Sequence, residues 1–180
     1  MRLFIAIELP EEIRQILAGL QRDMAGVRWV PWEQLHLTLL FLGEVGEGEL
    51  EMLYGGLKKI RFAPFSLNFT RPGCFPRSGN PRVLWFGVDG QPALERLASR
   101  VKAAMAACGI SFEERPFHPH ITLARIRQPE AGALLKGYID HPVALQIPAL
   151  AVREFVLFQS RLTQQGAVHL SLKVFPCATH

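Results

Sequence analysis

The 180-residue sequence predicts a mixed α and β fold built twice, as two similar lobes related by a pseudo-twofold axis across a cleft. Three observations predict it. LHLTLLFLGE (35–44) and FHPHITLARI (117–126) carry the same signature, His36 and Thr38 in one and His120 and Thr122 in the other. The order strand, helix, His-strand, helix, strand occurs twice. Corresponding points also keep similar spacings, 32 residues from Phe4 to His36 and 36 from Leu84 to His120.

In the first unit, RLFIAIEL (2–9) is rich in apolar β-formers and reads as a strand. PEEIRQILAGLQRDMAG (10–26) places Ile13, Ile16, Leu17, Leu20 and Met24 at helical spacing, with Pro10 near the first turn and Glu11 and Glu12 at the positive end. The His36 strand follows, with His36 and Thr38 on one face and Leu35, Leu37, Leu39 and Phe41 on the other. GEGELEMLYGGLKKI (46–60) is a second helix with Leu50, Leu53, Leu57 and Ile60 on one stripe, and FSLNFT (65–70) closes the unit as a strand.

FTRPGCFPRSGNPR (69–82) reads as one long loop between the lobes, and no Ser- or Pro-rich linker separates two domains. In the second unit, PRVLWFGV (81–88) is a strand. QPALERLASRVKAAMAACG (91–109) is a helix with Leu94, Leu97, Ala98, Val101, Met105 and Cys108 on its apolar face and Gly109 as its C′ residue. The His120 strand, a short helix near 129–138 and a strand near 143–150 complete the repeat, and further strands are expected near 152–159 and 167–175. The chain is thus a single two-lobed domain over 1–180, with repeat units at about 1–72 and 80–150 and terminal strands within 151–176.

An apolar fraction of 49% with 20% charged residues excludes a disordered chain, and the net charge of +4 is too small for a broad nucleic-acid surface. It suits a local pocket for an anion. Cys74, Cys108 and Cys177 are odd in number and lack metal-ligand spacing, as expected of reduced thiols in a cytoplasmic protein. Glu8, Glu11 and Glu12 interrupt the apolar start, so no signal peptide is expected, and no apolar run approaches the roughly 20 residues of a membrane span.

A single His-x-Thr on a strand is commonly a wet face; two at equivalent places in a duplicated unit bring two imidazoles and two hydroxyls to one small volume. Near neutral pH one imidazole can take a proton while the other gives one. Threonine hydroxyls can donate to an anionic oxygen. This set fits a tetrahedral phosphate between opposed acid–base groups, as in-line phosphoryl transfer requires. No HExxH or Cys/His cluster supports a metal, so neither a metal nor a cofactor is expected. His118 has Gln34 as its counterpart and reads as a rim residue, while His141, His169 and His180 read as surface or loop residues.

LHLTLLFLGEV and FHPHITLAR resemble the paired HxTx motifs of the two-histidine (2H) phosphoesterase superfamily. The whole chain, from RLFIAIELP through the GCFPRSGN loop and PRVLWFGV to SRLTQQGAVH, is similar to its RNA 2′,3′-cyclic phosphodiesterase branch, also called 2′-5′ RNA ligases. The resemblance implies a bilobal α+β fold with one mainly antiparallel sheet per lobe and the active site in the cleft. It implies hydrolysis of an RNA or nucleotide 2′,3′-cyclic phosphate to a 2′-phosphate without metal, with 2′-5′ ligation as the reverse. His36 would then be the proton donor to the leaving 3′-oxygen and His120 the base that activates water. Thr38 and Thr122 would hold the non-bridging oxygens.

Arg125 matches an arginine that follows the second motif in many relatives, although regular alternation puts it opposite His120 unless a bulge or strand end intervenes. Phe4, Phe41 and Trp85 are candidate stacking surfaces for a base. In the C-terminal pattern Ser-x-Leu-x-x-x-Gly-x-x-Tyr, Ser160, Leu162 and Gly166 fit, Gly166 serving a hairpin, while His169 replaces the tyrosine. The expected partner is RNA or a nucleotide ending in a cyclic phosphate, with no membrane and no obligate protein partner. The alternatives are a 2H enzyme for another phosphodiester, such as an ADP-ribose cyclic phosphate or a 2′-5′ oligonucleotide, and a non-catalytic RNA-binding module. A binding module would tolerate loss of a motif residue and would carry a wider basic stripe.

Overall fold

Strand alternation decides the layering. The first strand, β1 (Arg2–Glu8), sends Leu3, Ile5 and Ile7 into the main core and Phe4 and Ala6 into a second, smaller one on its other face. The computed structural model describes residues 1–89, 91–128, 130–140, 145–164 and 166–178. After β1 come α1 (Glu11–Ala18), β2 (Val27–Trp29), β3 (His36–Glu44), α2 (Leu50–Lys58), β4 (Phe65–Leu67) and β5 (Phe69–Phe75). Then follow β6 (Val83–Val88), α3 (Pro92–Ala107), β7 (His120–Ile126), α4 (Ala131–Asp140), β8 (Leu150–Val152), β9 (Glu154–Thr163) and β10 (Gly166–Pro176).

The strands lie in the order β10-β9-β1-β3-β7-β6-β5, with β2 on the free part of β7; β4 and β8 form a separate two-stranded sheet, and every pairing is antiparallel. The α+β architecture and the duplication expected from the sequence are both present. Exchanging β1 with β6, β3 with β7 and β9 with β5 turns the six strands from β9 to β5 into themselves. The lobes' sheets meet at one backbone pairing, Leu37 with Ile121.

The strand that follows each unit's second helix and short strand crosses over: β5 pairs with β6, and β9, one of the terminal strands, pairs with β1. β5 therefore occupies much of the stretch that reads as a loop in the sequence. Pro72 is tolerated because β5 is an edge strand and its register with β6 shifts between Phe69 and Pro72.

The second helix-to-strand boundary also differs from expectation. Residues 145–149 are not in a strand, 143 and 144 lie outside the described residues, and β8 begins at Leu150. α1 stops at Ala18, before Gly19, so Met24 is not helical; β2, which its three residues do not announce in the sequence, follows instead. The helices α1, α2 and α3 bury Ile13, Leu17, Leu53, Leu57, Leu94, Leu97, Val101 and Met105 in the core that also takes Leu37, Leu39, Ile121 and Leu123. Each such side chain contributes about 1.5–3 kcal/mol of burial. The opposite face of the His strands is left for the cleft. Gly109 ends α3 with φ of +70°, the left-handed C′ conformation its residue type admits.

Candidate active site

His36 and Thr38 start β3, and His120 and Thr122 start β7. Leu37 and Ile121, the residues between them, are 1% and 0% exposed and pair with each other. Antiparallel register around that pair sets His36 beside Thr122 and Thr38 beside His120, all on the face away from the main core. All four are half-buried.

The imidazoles are held alike. His36 Nδ1–H donates to the Gln34 carbonyl at 2.7 Å, and His120 Nδ1–H to the His118 carbonyl at 2.6 Å. A carbonyl only accepts, so the proton of the neutral ring sits on Nδ1 and Nε2 keeps the lone pair for chemistry. His118 thus serves through its backbone, and its ring lies on the rim, 6.1 Å from Phe75.

The surroundings of the rings differ. His36 lies on Phe4 with ring centroids 4.8 Å apart, and Phe4 stacks on Phe158 at 5.2 Å. His120 meets Phe75 edge-on at 5.1 Å and Trp85 at 6.2 Å. Burial pushes the pKa of His36 down to about 4 against the raising effect of its bond to Gln34, and the charges of His169 and His120 lower it further. Burial also lowers His120, with the bond to His118 opposing and the His118 charge adding to the fall. Both rings are therefore predominantly neutral at pH 7 in the free cleft.

Two bulges decide what else reaches this face. Ile5 pairs with Leu40 but Ala6 with Thr38, leaving Leu39 extra; Leu84 pairs with Ala124 but Trp85 with Thr122, leaving Leu123 extra. Alternation inverts after each bulge, so Leu39 and Leu40, and likewise Leu123 and Ala124, are all buried. Phe41, expected on the core face, is instead 45% exposed on the cleft side. Arg125, at the equivalent position of β7, comes to the face of His120, as only a bulge allows.

Phe4 is 2% exposed, which corrects its expectation as a base-stacking surface: it is a floor beneath His36. Trp85 is half-buried and, with Thr70, Phe75, Arg77, Gly87 and His118, lines a cavity of about 210 Å³ beside His120. A larger cavity of about 530 Å³ between α2 and α3 holds none of the motif residues.

His169 is not a loop residue. It is half-buried on β10 opposite Ser160, with its ring 5.1 Å from that of His36. The β9–β10 hairpin expected at Gly166 is present, while His141 and His180 lie outside the described residues. Sequence reasoning also missed Arg28, which β2 sets opposite Arg125; its only signal would have been β2 itself. Among the described residues no group of three or more His, Cys, Asp or Glu could hold a metal ion, and no helix is long and apolar enough to cross a membrane.

The family model described as LigT-like phosphoesterase matches residues 7–85 and 87–169, and each matched block contains one His-x-Thr strand. An RNA 2′,3′-cyclic phosphodiesterase of Archaeoglobus fulgidus is 36% identical, covering 97% of this chain and 99% of its own. The crystal structure of TT0787 of Thermus thermophilus is 35% identical with a TM-score of 0.81, covering 98% and 97% of the two chains. That of E. coli LigT complexed with 3′-AMP is 34% identical with a TM-score of 0.78, covering 99% and 98%.

Proposed function

The chain belongs to the LigT-like phosphoesterase family, and from that premise we propose that it hydrolyses the 2′,3′-cyclic phosphate of RNA ends or nucleotides to a 2′-phosphate. Two imidazoles carry this assignment, each tied at Nδ1 to a strand carbonyl and each set beside the other motif's threonine. Water attacks phosphorus as the P–O3′ bond breaks, which leaves the phosphate on the 2′-oxygen. His120 Nε2 takes the proton from water and His36 gives one to the departing 3′-oxygen, so the proton count closes over one turnover. Thr38 and Thr122 donate to the non-bridging oxygens, and Arg125 balances their charge.

His36 holds its proton weakly in the empty cleft, and an anionic diester beside it favours the protonated form. The cavity walled by Phe75 and Trp85 beside His120 offers the apolar faces a nucleobase requires. A 5′-hydroxyl in the place of water gives the 2′-5′ linkage. The protein works in the cytoplasm on these RNA ends.

The deciding experiment is product analysis on an oligoribonucleotide ending in a 2′,3′-cyclic phosphate. A 2′-phosphate with a free 3′-hydroxyl is expected. A 3′-phosphate, or an unchanged end, refutes the assignment.

A further inference from the structure

His169 stands where the family's C-terminal pattern has a tyrosine, and its ring is built into the cleft floor. It meets His36 edge-on, with centroids 5.1 Å apart and planes at 78°, and meets Phe4 edge-on at 4.8 Å and 70°. Phe4 also lies against His36, so the three rings touch one another. His169 Nδ1 is buried with no partner among the described residues. Leaving such an atom unsatisfied is costly, and phenylalanine would fill the space without that cost. An imidazole kept here points to more than packing.

We propose that His169 is a positioning residue for His36: it holds the His36 ring against Phe4 and, as a second ionisable ring at 5.1 Å, restricts the pair to one proton. The inference rests on His36 being an acid–base group of the proposed reaction. Two imidazolium ions at this separation in a partly desolvated site repel strongly, so the second proton enters the pair only at low pH. Burial lowers the pKa of both rings, and the His169 charge adds to the fall at His36. The titration therefore belongs to the pair. When an anionic phosphodiester binds beside the β3 motif, the pair takes up one proton and the diester's charge favours holding it on His36, where the leaving oxygen needs it.

The other charged groups on the packed elements are accounted for. On β1, Glu8 is the cross-strand partner of His36, with its carboxylate 3.6 Å from the Arg14 guanidinium that balances its charge, and Arg2 lies at the far end opposite Glu44 of β3. On β7, His120 contributes charge to His36 and Arg125 lies beyond the bulge. On β9, Arg161 Nε donates to Gln159 at 3.1 Å and Glu154 lies at the opposite end of the strand; on β10, Lys173 is turned to the Tyr54 ring at 4.7 Å. His169 is thus the ionisable ring in direct contact with His36.

The test is an NMR titration of the His36 imidazole, without substrate, in the wild type, His169→Tyr and His169→Gln. It is joined to kcat/KM against pH on a cyclic mononucleotide. Tyrosine keeps a ring in the contact but no charge at these pH values, so it separates packing from ionisation. In the wild type His36 should sense two steps. In both variants the step belonging to His169 should disappear and the His36 midpoint should lie at higher pH, with the acid limb of kcat/KM moving up alongside. An unmoved His36 midpoint in His169→Tyr overturns the proposal and leaves His169 a packing residue. Because the titration needs no substrate, failure of the phosphodiesterase assignment removes only the kinetic readout.

Discussion

Leu37 and Ile121 are the backbone pair at which β3 meets β7, and the pseudo-twofold exchange of the strands runs through it. Their side chains are buried in the main core, so their neighbours His36, Thr38, His120 and Thr122 have to face the cleft. The His-x-Thr arrangement is therefore anchored by two of the best-buried side chains among the described residues.

His36→Ala and His120→Ala should each lower kcat by on the order of 10²–10⁴ with the fold retained, the usual worth of a positioned acid or base. Thr38→Ala and Thr122→Ala should cost less, because each removes one neutral donor while charged groups remain. Steady-state kinetics of the four variants, with circular dichroism, checks the ranking. A threonine variant slower than both histidine variants would reverse it.

Arg125 reaches the cleft face only through the bulge at Leu123. Arg125→Ala should lose about 1.5–3 kcal/mol of transition-state stabilisation, roughly 10–150-fold in kcat/KM. Arg125→Lys should recover part of it. An Arg125→Ala enzyme as fast as the wild type would place the guanidinium outside the reaction.

The pH dependence of kcat/KM reports the free enzyme, where His36 titrates at about 4 and His120 below its ordinary 6.5. Activity requires one ring protonated and the other neutral, whichever ring is the acid. The profile should be a bell with its maximum between those limits, on the acid side of pH 6.5. Both limbs should lie higher in kcat, since the bound anion favours the protonated rings. A kcat/KM that climbs steadily to about pH 9 would remove the paired-histidine mechanism.

Stability should decrease as the pH is lowered through the same window. The folded pKa of His36 lies below its unfolded value, so between pH 6.5 and 4 the unfolded chain binds more protons. The contribution is complete above 6.5 and is lost as pH falls toward 4, by on the order of 2–3 kcal/mol. Urea unfolding at both ends of the window should show a smaller acid loss in His36→Gln. An equal loss would mean that His36 is not the group responsible.

Gly73 lies directly under the Trp85 ring, where a Cβ would collide with the indole. Phe75 braces the indole at 5.3 Å, so the ring has little room to yield. Gly73→Ala should cost about 1–3 kcal/mol of stability as an overpacked site. It should also raise KM by pushing the indole toward the cavity beside His120. Thermal melting and KM on a cyclic nucleotide measure both effects, and an unchanged KM would detach Trp85 from substrate.

The two His-x-Thr strands, their buried neighbours and the duplicated order of elements were legible because they are local. A period of two assigns faces within a strand, and a period of 3.6 marks α1, α2 and α3. Tertiary structure decided the features that depend on strand register. The extra residues Leu39 and Leu123 invert the alternation, carrying Phe41 and Arg125 to the cleft, and neither leucine marks its bulge beforehand. The crossing of β5 and β9, the pairing of β2 and the placing of His169 against His36 join residues far apart in the chain. Local spacing carries no record of such contacts, because strand pairing is chosen by the burial of the whole sheet and not by any one strand.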